Sequence, residues 1–445
     1  MYQLPADSKL LTKHFTFGVA TSSYQIEGGI DKDQREPSIW DTFCQQPGAV
    51  KGQDNGAIAC DHYHLWQQDV DLIASLGVDA YRLSIAWPRI IRADGSTNQA
   101  GLAFYDQIIQ ALSDKGIKVS VTLYHWDLPQ YLEDKGGWLN RETAYQFAHY
   151  ADVVSQHFGN RIDSYATFNE PWCSAYLGYR FGIHAPGIKN QKSGYQAAHH
   201  LLLAHGLAMP ILRRNAPQSQ HGIVLNFTPN YAISEADNGA QQFAEDDNSH
   251  WFMQPIFEGS YPQSIQALFP QDMPLVLAGD MAIIHAPIDF LGINFYTCNR
   301  VKADAEHGYQ VVAANAEHVE LTDMGWEVYP QALTDLLVGF QQRYILPPIY
   351  ITENGAATAD ELVDGVVDDQ QRMAYYQRHL LAVDKAIRQG VNVAGYFAWS
   401  LMDNFEWAEG YDKRFGLVYV DYQTQKRTLK NSALAFKHFL ATRER

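Results

Sequence analysis

Eight short apolar runs recur along the chain, each followed by a polar or aromatic tip and then by a stretch with helical spacing. They are FTFGVA (Phe15–Ala20), AYRLSIAW (Ala80–Trp87), KVSVTLYHW (Lys118–Trp126) and SYATFNE (Ser164–Glu170) in the first half. HGIVLNF (His221–Phe227), DFLGINFY (Asp289–Tyr296), PPIYITEN (Pro347–Asn354) and VAGYFAWS (Val393–Ser400) follow in the second. Several are nearly continuous in apolar residues rather than alternating, the pattern of parallel strands buried on both faces. Between them the apolar positions take the period of a helix: Val70, Ile73 and Ala74 ahead of Gly77, and Leu102, Tyr105, Ile108, Ile109 and Leu112 on one face. A third such segment spans 370–390 and ends on Gly390 as its cap. Strand and helix alternating eight times predict an α/β fold, a single (β/α)8 TIM barrel over residues 1–445. A doubly wound open sheet is the rival, but no glycine-rich phosphate loop follows the first strand, and EGGI at Glu27–Ile30 lacks the GxGxxG spacing. The segments Gly178–Ser193 and Val301–Gly325 exceed what a strand-helix connection needs and are expected as long loops shaping the C-terminal face.

Composition narrows the picture. The chain is 46% hydrophobic and 13% aromatic, enough for a large core with Trp and Tyr to spare for a ligand cleft. A net charge of −17 argues against a nucleic-acid partner, which needs a basic stripe. Cys44, Cys60, Cys173 and Cys298 form no CxxC pair, as suits reduced thiols in a cytoplasmic protein. The N-terminal MYQLPADSKLLTKHF has no basic-then-apolar signal pattern, and no apolar run approaches the roughly 18 residues of a membrane span, so no membrane partner is expected. Monomer and homo-oligomer are both left open.

Barrel enzymes carry their chemistry at the C-terminal ends of the strands. Those ends supply Gln25, Arg82, His125, Trp126, Asn169 and Glu170 from the first half. Asn226, Asn294, Tyr296, Glu353 and Trp399 come from the second. Groups that can hydrogen bond a polyhydroxylated ligand dominate, with aromatic planes among them. Glu170 and Glu353 close the fourth and seventh runs and are expected to face each other across the mouth. Paired carboxylates flanking one bond are what glycoside hydrolysis requires: one protonated to release the leaving oxygen, the other ionised to attack the anomeric carbon. Like charges in a confined site push the two pKa values apart, so one carboxyl keeps its proton near neutral pH. A separation of about 5–5.5 Å would make the reaction retaining. Asp61-His62-Tyr63-His64 reads as packing and capping rather than a metal patch, and His199, His200 and His205 read as core histidines. No metal and no cofactor are expected.

The strings FTFGVATSSYQIEG, YHWDLPQ, TFNEP, NFYT, YITENG and WSLMDNFEW occur in this order, and through them the chain resembles glycoside hydrolase family 1, the β-glucosidase family, from end to end. The resemblance implies Glu170 as acid/base and Glu353 as nucleophile, with Arg82 and Tyr296 holding the nucleophile ionised and oriented. It implies a sugar subsite in which Gln25, His125, Asn169 and Glu406 bind hydroxyls, Trp407 assists, Trp399 forms an apolar floor and Phe415 walls the pocket near C6. Trp126, Asn294 and Tyr296 join the same substrate-binding set. The family's strand-six motif is commonly Asn-Tyr-Tyr; here it is Asn294-Phe295-Tyr296, which keeps the tyrosine that contacts the nucleophile. One branch of the family takes 6-phosphorylated sugars, but Glu406 in SLMDNFEWAEGYDKRFG would repel a phosphate. The expected substrates are therefore small unphosphorylated β-glucosides such as cellobiose, with β-galactosides and β-fucosides tolerated. Trp172, Cys173, Leu177, His184, Asn226 and Trp326 are expected on the leaving-group side, with Trp172 and Leu177 narrowing the entrance. The alternatives are a 6-phospho-β-glucosidase and a catalytically silent carbohydrate-binding barrel.

Overall fold

The eight apolar runs become eight strands: β1 (Thr16–Ala20), β2 (Ala80–Ser84), β3 (Lys118–Tyr124), β4 (Ser164–Asn169), β5 (Gln220–Phe227), β6 (Phe290–Phe295), β7 (Ile349–Asn354) and β8 (Val393–Trp399). The structure is a computed structural model that describes residues 2–315 and 317–443. Each strand pairs in parallel with its neighbour in chain order, and β8 pairs with β1 to close the barrel. Their near-continuous apolar character follows from this closure, because one face meets the barrel interior and the other meets the surrounding helices.

Helices return the chain from the end of one strand to the start of the next. The one at His62–Leu76 stops at Gly77, whose φ of 75° is the left-handed conformation that glycine adopts without penalty. It begins earlier than its apolar pattern suggests, because its first turns bury a polar pair: His62 Nδ1 lies 2.8 Å from Asp69 Oδ2. Asp61 does not cap this helix with its side chain; it pairs instead with His64 at 2.5 Å. The helix over Gln370–Arg388 is followed by Gly390 at φ 95°, one residue beyond its cap Gln389. His199, His200 and His205 are buried in the helix Gln191–Asn215, bonded to Tyr261 and Asp280, to the Trp138 carbonyl, and to Thr167 respectively.

The two long segments expected as loops hold regular structure. Gly178–Ser193 opens in a wide-turn helix over Cys173–Arg180. Val301–Gly325 contains most of a hairpin, Asn299–Asp304 against Gly308–Val312, which joins Asn230–Ala232 in a small three-stranded sheet. Only Val301 of the first hairpin strand is fully buried, so its pattern was too weak to announce a strand.

Inside the barrel the filling is lopsided. A Cβ at Gly18 would stand 2.3 Å from the Phe397 ring, and one at Gly395 would stand 2.7 Å from the Tyr350 ring, so these glycines make room for the two aromatic side chains. Small side chains, Ala80, Ser120, Ser164 and Ala166, line a cavity of about 270 Å³ beside these rings, together with Val224 and Phe290, and Arg82, Thr122 and Thr352 line it as well.

Candidate active site

Both strands that deliver the expected carboxylates lose their regular register just before doing so. β4 shifts against β5 between Ala166 and Asn169, and β7 shifts against β6 between Ile351 and Glu353. Such irregularities re-aim side chains that strict alternation would send to the other face. Glu170, the first residue past β4, has φ 48°, and Trp126 and Trp407 at the same mouth have φ 74° and 52°. A left-handed backbone at a bulky residue costs about 1–3 kcal/mol and persists where surrounding contacts enforce it. Here the Glu170 amide donates to the Val224 carbonyl on β5 at 2.9 Å.

The two glutamates then meet different partners. Glu353 Oε1 accepts from Arg82 Nη1 at 2.6 Å, and its Oε2 accepts from the Tyr296 hydroxyl at 2.5 Å. Glu170 Oε1 accepts from Asn294 Nδ2 at 2.6 Å, and its Oε2 accepts from the Cys173 thiol at 2.9 Å. Asn169 Oδ1 sits between the two sets, accepting from Arg82 Nη2 at 2.6 Å and from Asn294 Nδ2 at 2.9 Å. A continuous hydrogen-bonded chain thus runs from one carboxylate to the other.

Burial pushes Glu170 up to about 7, with the charge of Glu353 as the second cause and Cys173, Asn294 and Arg82 opposing. Burial therefore weighs more than the like charge to which the sequence reading gave the credit. Glu353 is also raised by burial, against Arg82 and Tyr296, which favour its charged form. Glu406 is pushed up to about 8 by burial and by the charges of Glu353 and Glu170. His125 is held well below its ordinary value by burial and by Arg82, so its ring is neutral. Its Nε2 lies 3.1 Å from Asn169 Nδ2 and must accept, which leaves the proton on Nδ1.

The carboxylates open into a cavity of about 480 Å³ at the C-terminal mouth. Of the expected sugar-binding residues, His125, Trp126, Asn294, Tyr296 and Trp399 line it, as do Glu406, Trp407 and Phe415. All six residues expected on the leaving-group side line it too: Trp172, Cys173, Leu177, His184, Asn226 and Trp326. Gln25, Asn169 and Arg82 stand behind this wall. Gln25 accepts from the Ser22 hydroxyl and donates to Asn404 Oδ1 and the Phe405 carbonyl, bracing the loop that carries Glu406. His125 Nδ1, Asn226 Oδ1 and Glu406 Oε2 are buried without a hydrogen-bond partner among the described residues, a costly arrangement unless a ligand's polar groups meet them. His125 lies nearly parallel to the indoles of Trp399 and Trp407, with ring centres 5.8 and 5.9 Å away.

Phe295 faces away from the cavity, buried beside His379, so the departure from Asn-Tyr-Tyr lies outside the site. Sequence reading missed Asn248, which accepts from the Trp172 indole at 3.0 Å and lines the entrance. Asn248 lies 21 residues beyond the end of β5 in a stretch without a motif, and nothing local marks it. Thr297 and Asn299 also line the cavity and were not among the expected residues, although Thr297 closes the NFYT string. Among the described residues no group of three or more His, Cys, Asp or Glu is arranged to hold a metal, and no helix is long and apolar enough to cross a membrane.

The family model for glycosyl hydrolase family 1 matches residues 7–445. A β-glucosidase of Agrobacterium sp. is 49% identical over 424 residues, covering 94% of this chain and 92% of that protein. A bifunctional β-D-glucosidase/β-D-fucosidase of Bifidobacterium breve is 44% identical over 456 residues, covering 97% and 98%. The structure of a family 1 β-glucosidase from Thermotoga maritima in complex with isofagomine lactam superposes with a TM-score of 0.94 at 43% identity, covering 99% of each chain. Motif order, a closed eight-stranded barrel and a match across nearly the whole length agree, and the chain belongs to glycosyl hydrolase family 1.

Proposed function

We propose that the protein is a retaining β-glucosidase that removes terminal non-reducing β-D-glucosyl residues from short oligosaccharides such as cellobiose and from aryl and alkyl β-glucosides. The observation that carries this reading is one cavity holding two buried glutamates with opposite partners. Glu353, beside a guanidinium and a phenol, attacks C1 and forms a covalent glycosyl-enzyme. Glu170 gives its proton to the departing oxygen, and its C1-side partner charge is consumed as the ester forms. Its pKa then falls, so it can take a proton from the water that releases the sugar. His125, with its proton on Nδ1, donates to a sugar hydroxyl, while Glu406 accepts from one and Trp399 covers the apolar C–H face. Asn169 is proposed to reach the 2-hydroxyl and Gln25 the far hydroxyls, once sugar competes for the bonds they now make within the protein.

Side activity on β-fucosides is supported by the Bifidobacterium relative named for both activities, and β-galactoside cleavage and transglycosylation are proposed with it. The 6-phosphoglucoside alternative is disfavoured because no Lys or Arg lines the described cavity, whereas Glu170, Glu353, Glu406 and Glu409 do. The silent-barrel alternative is disfavoured because both carboxylates are present with their partners in hydrogen-bonding distance. Four unpaired, buried cysteines support a reducing, cytoplasmic setting. The test is hydrolysis of p-nitrophenyl β-glucoside with the β-anomer as first product by NMR, undiminished by chelators and lost in Glu353→Gln. Cleavage of 6-phospho-β-glucosides alone would overturn the assignment, and sugar binding without turnover would favour the silent barrel.

A further inference from the structure

Thr352 precedes the nucleophile, yet the register shift in β7 turns both side chains inward: Glu353 lines the cavity at the C-terminal mouth and Thr352 lines the cavity beneath it, where Ser120, Thr122 and Ser164 stand among apolar residues. Thr352 touches the partners of both carboxylates. Its carbonyl accepts from Arg82 Nη1 at 3.3 Å, the same nitrogen that holds Glu353. Its hydroxyl donates to Asn294 Oδ1 at 2.7 Å. With that oxygen engaged from below, the Asn294 amide directs one N–H to Glu170 Oε1 and the other to Asn169 Oδ1. Resting on Glu170 as acid/base, we propose that Thr352 is a positioning residue that aligns the Asn294 amide on Glu170 and thereby sets the pH range over which the acid works.

The physical chain is short. An N–H donated to a carboxylate stabilises its ionised form and lowers its pKa. Without the Thr352 hydroxyl the Asn294 carbonyl is buried and unpaired, the amide loses an anchor, and its donation to Glu170 weakens. The other charged or titratable groups around Glu170 are Glu353 on β7, Arg82 on β2, Tyr296 after β6, Glu406 after β8 and Cys173 in its own loop, with His125, His184 and Glu409 lining the same cavity. Replacing Thr352 removes none of them. The cavity of about 270 Å³ below the hydroxyl adds a second expectation. An alanine there lets cavity water take over part of the hydroxyl's role, whereas an isosteric valine blocks it.

The experiment is the pH dependence of kcat/KM for an aryl β-glucoside. Glu170→Gln tests the parent reading: the alkaline limb disappears if Glu170 is the acid, and its persistence would overturn that assignment itself. Given that limb, Thr352→Val moves it to higher pH by up to about one unit, the scale of one weakened hydrogen bond to a charged group. Thr352→Ala moves it the same way by less, and Thr352→Ser returns it to the wild-type position. A purely structural role would lower thermal stability or scale the rate while leaving the limb in place. An unmoved limb in Thr352→Val, or in Thr352→Ala should the valine variant fail to fold, overturns the proposal.

Discussion

Glu170 and Glu353 occupy equivalent places, each at the C-terminal end of a barrel strand and each almost fully buried, at 5% and 3% exposure. What differs is the company. Glu353 has a cation and a phenol at hydrogen-bonding distance, while Glu170 has an amide and a thiol, with Arg82 reaching it only through Asn169 and Asn294. Burial raises both carboxyls, and the direct ion pair is what lets one of them carry the charge. Position in the fold therefore makes two candidates, and their neighbours give the two carboxyls different electrostatic surroundings.

The hardest break in this comparison is removal of each carboxylate in turn. Glu353→Ala lowers kcat/KM by roughly 10⁴–10⁶-fold, since no group remains to form the covalent intermediate. Glu170→Ala costs about 10²–10⁴-fold on substrates with poor leaving groups and less on dinitrophenyl glucosides, which need no acid. Azide sharpens the contrast: it restores turnover to Glu353→Ala with an α-glucosyl azide product, and to Glu170→Ala with a β-product. Identical anomers from the two variants would show that the roles are not divided as argued.

Weaker perturbations test the neighbours. Tyr296→Phe removes a hydrogen bond to a charged group and lowers kcat/KM by about 10–100-fold. The lost donor had favoured ionised Glu353, so the acidic limb of the pH profile moves to higher pH. In the wild type the alkaline limb falls near Glu170's value of about 7, because activity is lost as pH rises and the acid's proton leaves. Cys173→Ala shifts that limb upward by less than about half a unit, a thiol being a weak donor. At the entrance, Trp172→Ala frees Asn248 from its 3.0 Å bond and alters glucose inhibition and transglycosylation more than hydrolysis of the aryl glucoside. Unchanged product ratios would remove Trp172 from the leaving-group side.

Much of the site was readable along the chain because barrel strands end where chemistry begins. SYATFNE and PPIYITEN each place a glutamate after an apolar run, and every strand lies within its run except β5, which begins one residue earlier at Gln220. The helix at His62–Leu76 was read short because a buried His62–Asp69 pair stands on its core face, and such a pair looks polar in any periodicity count. The hairpin after β6 was missed because its first strand, Asn299–Asp304, is central in the small sheet yet buries only one valine and so has almost no signal of its own.

The sequence alone determined the barrel, the two glutamates and the aromatic and amide residues around them, because burial pattern and strand-end placement are properties of short stretches. Only the tertiary structure decided that Glu353 faces Arg82 while Glu170 faces Asn294, that Gln25 braces a loop, that Asn248 lines the entrance, and that the Thr352 hydroxyl bonds Asn294. Those facts rest on register shifts in β4 and β7 and on contacts between residues 58 to 379 positions apart. Electrostatics acts through space, so a carboxyl's working charge is set by whichever groups the closed barrel brings within a few ångströms.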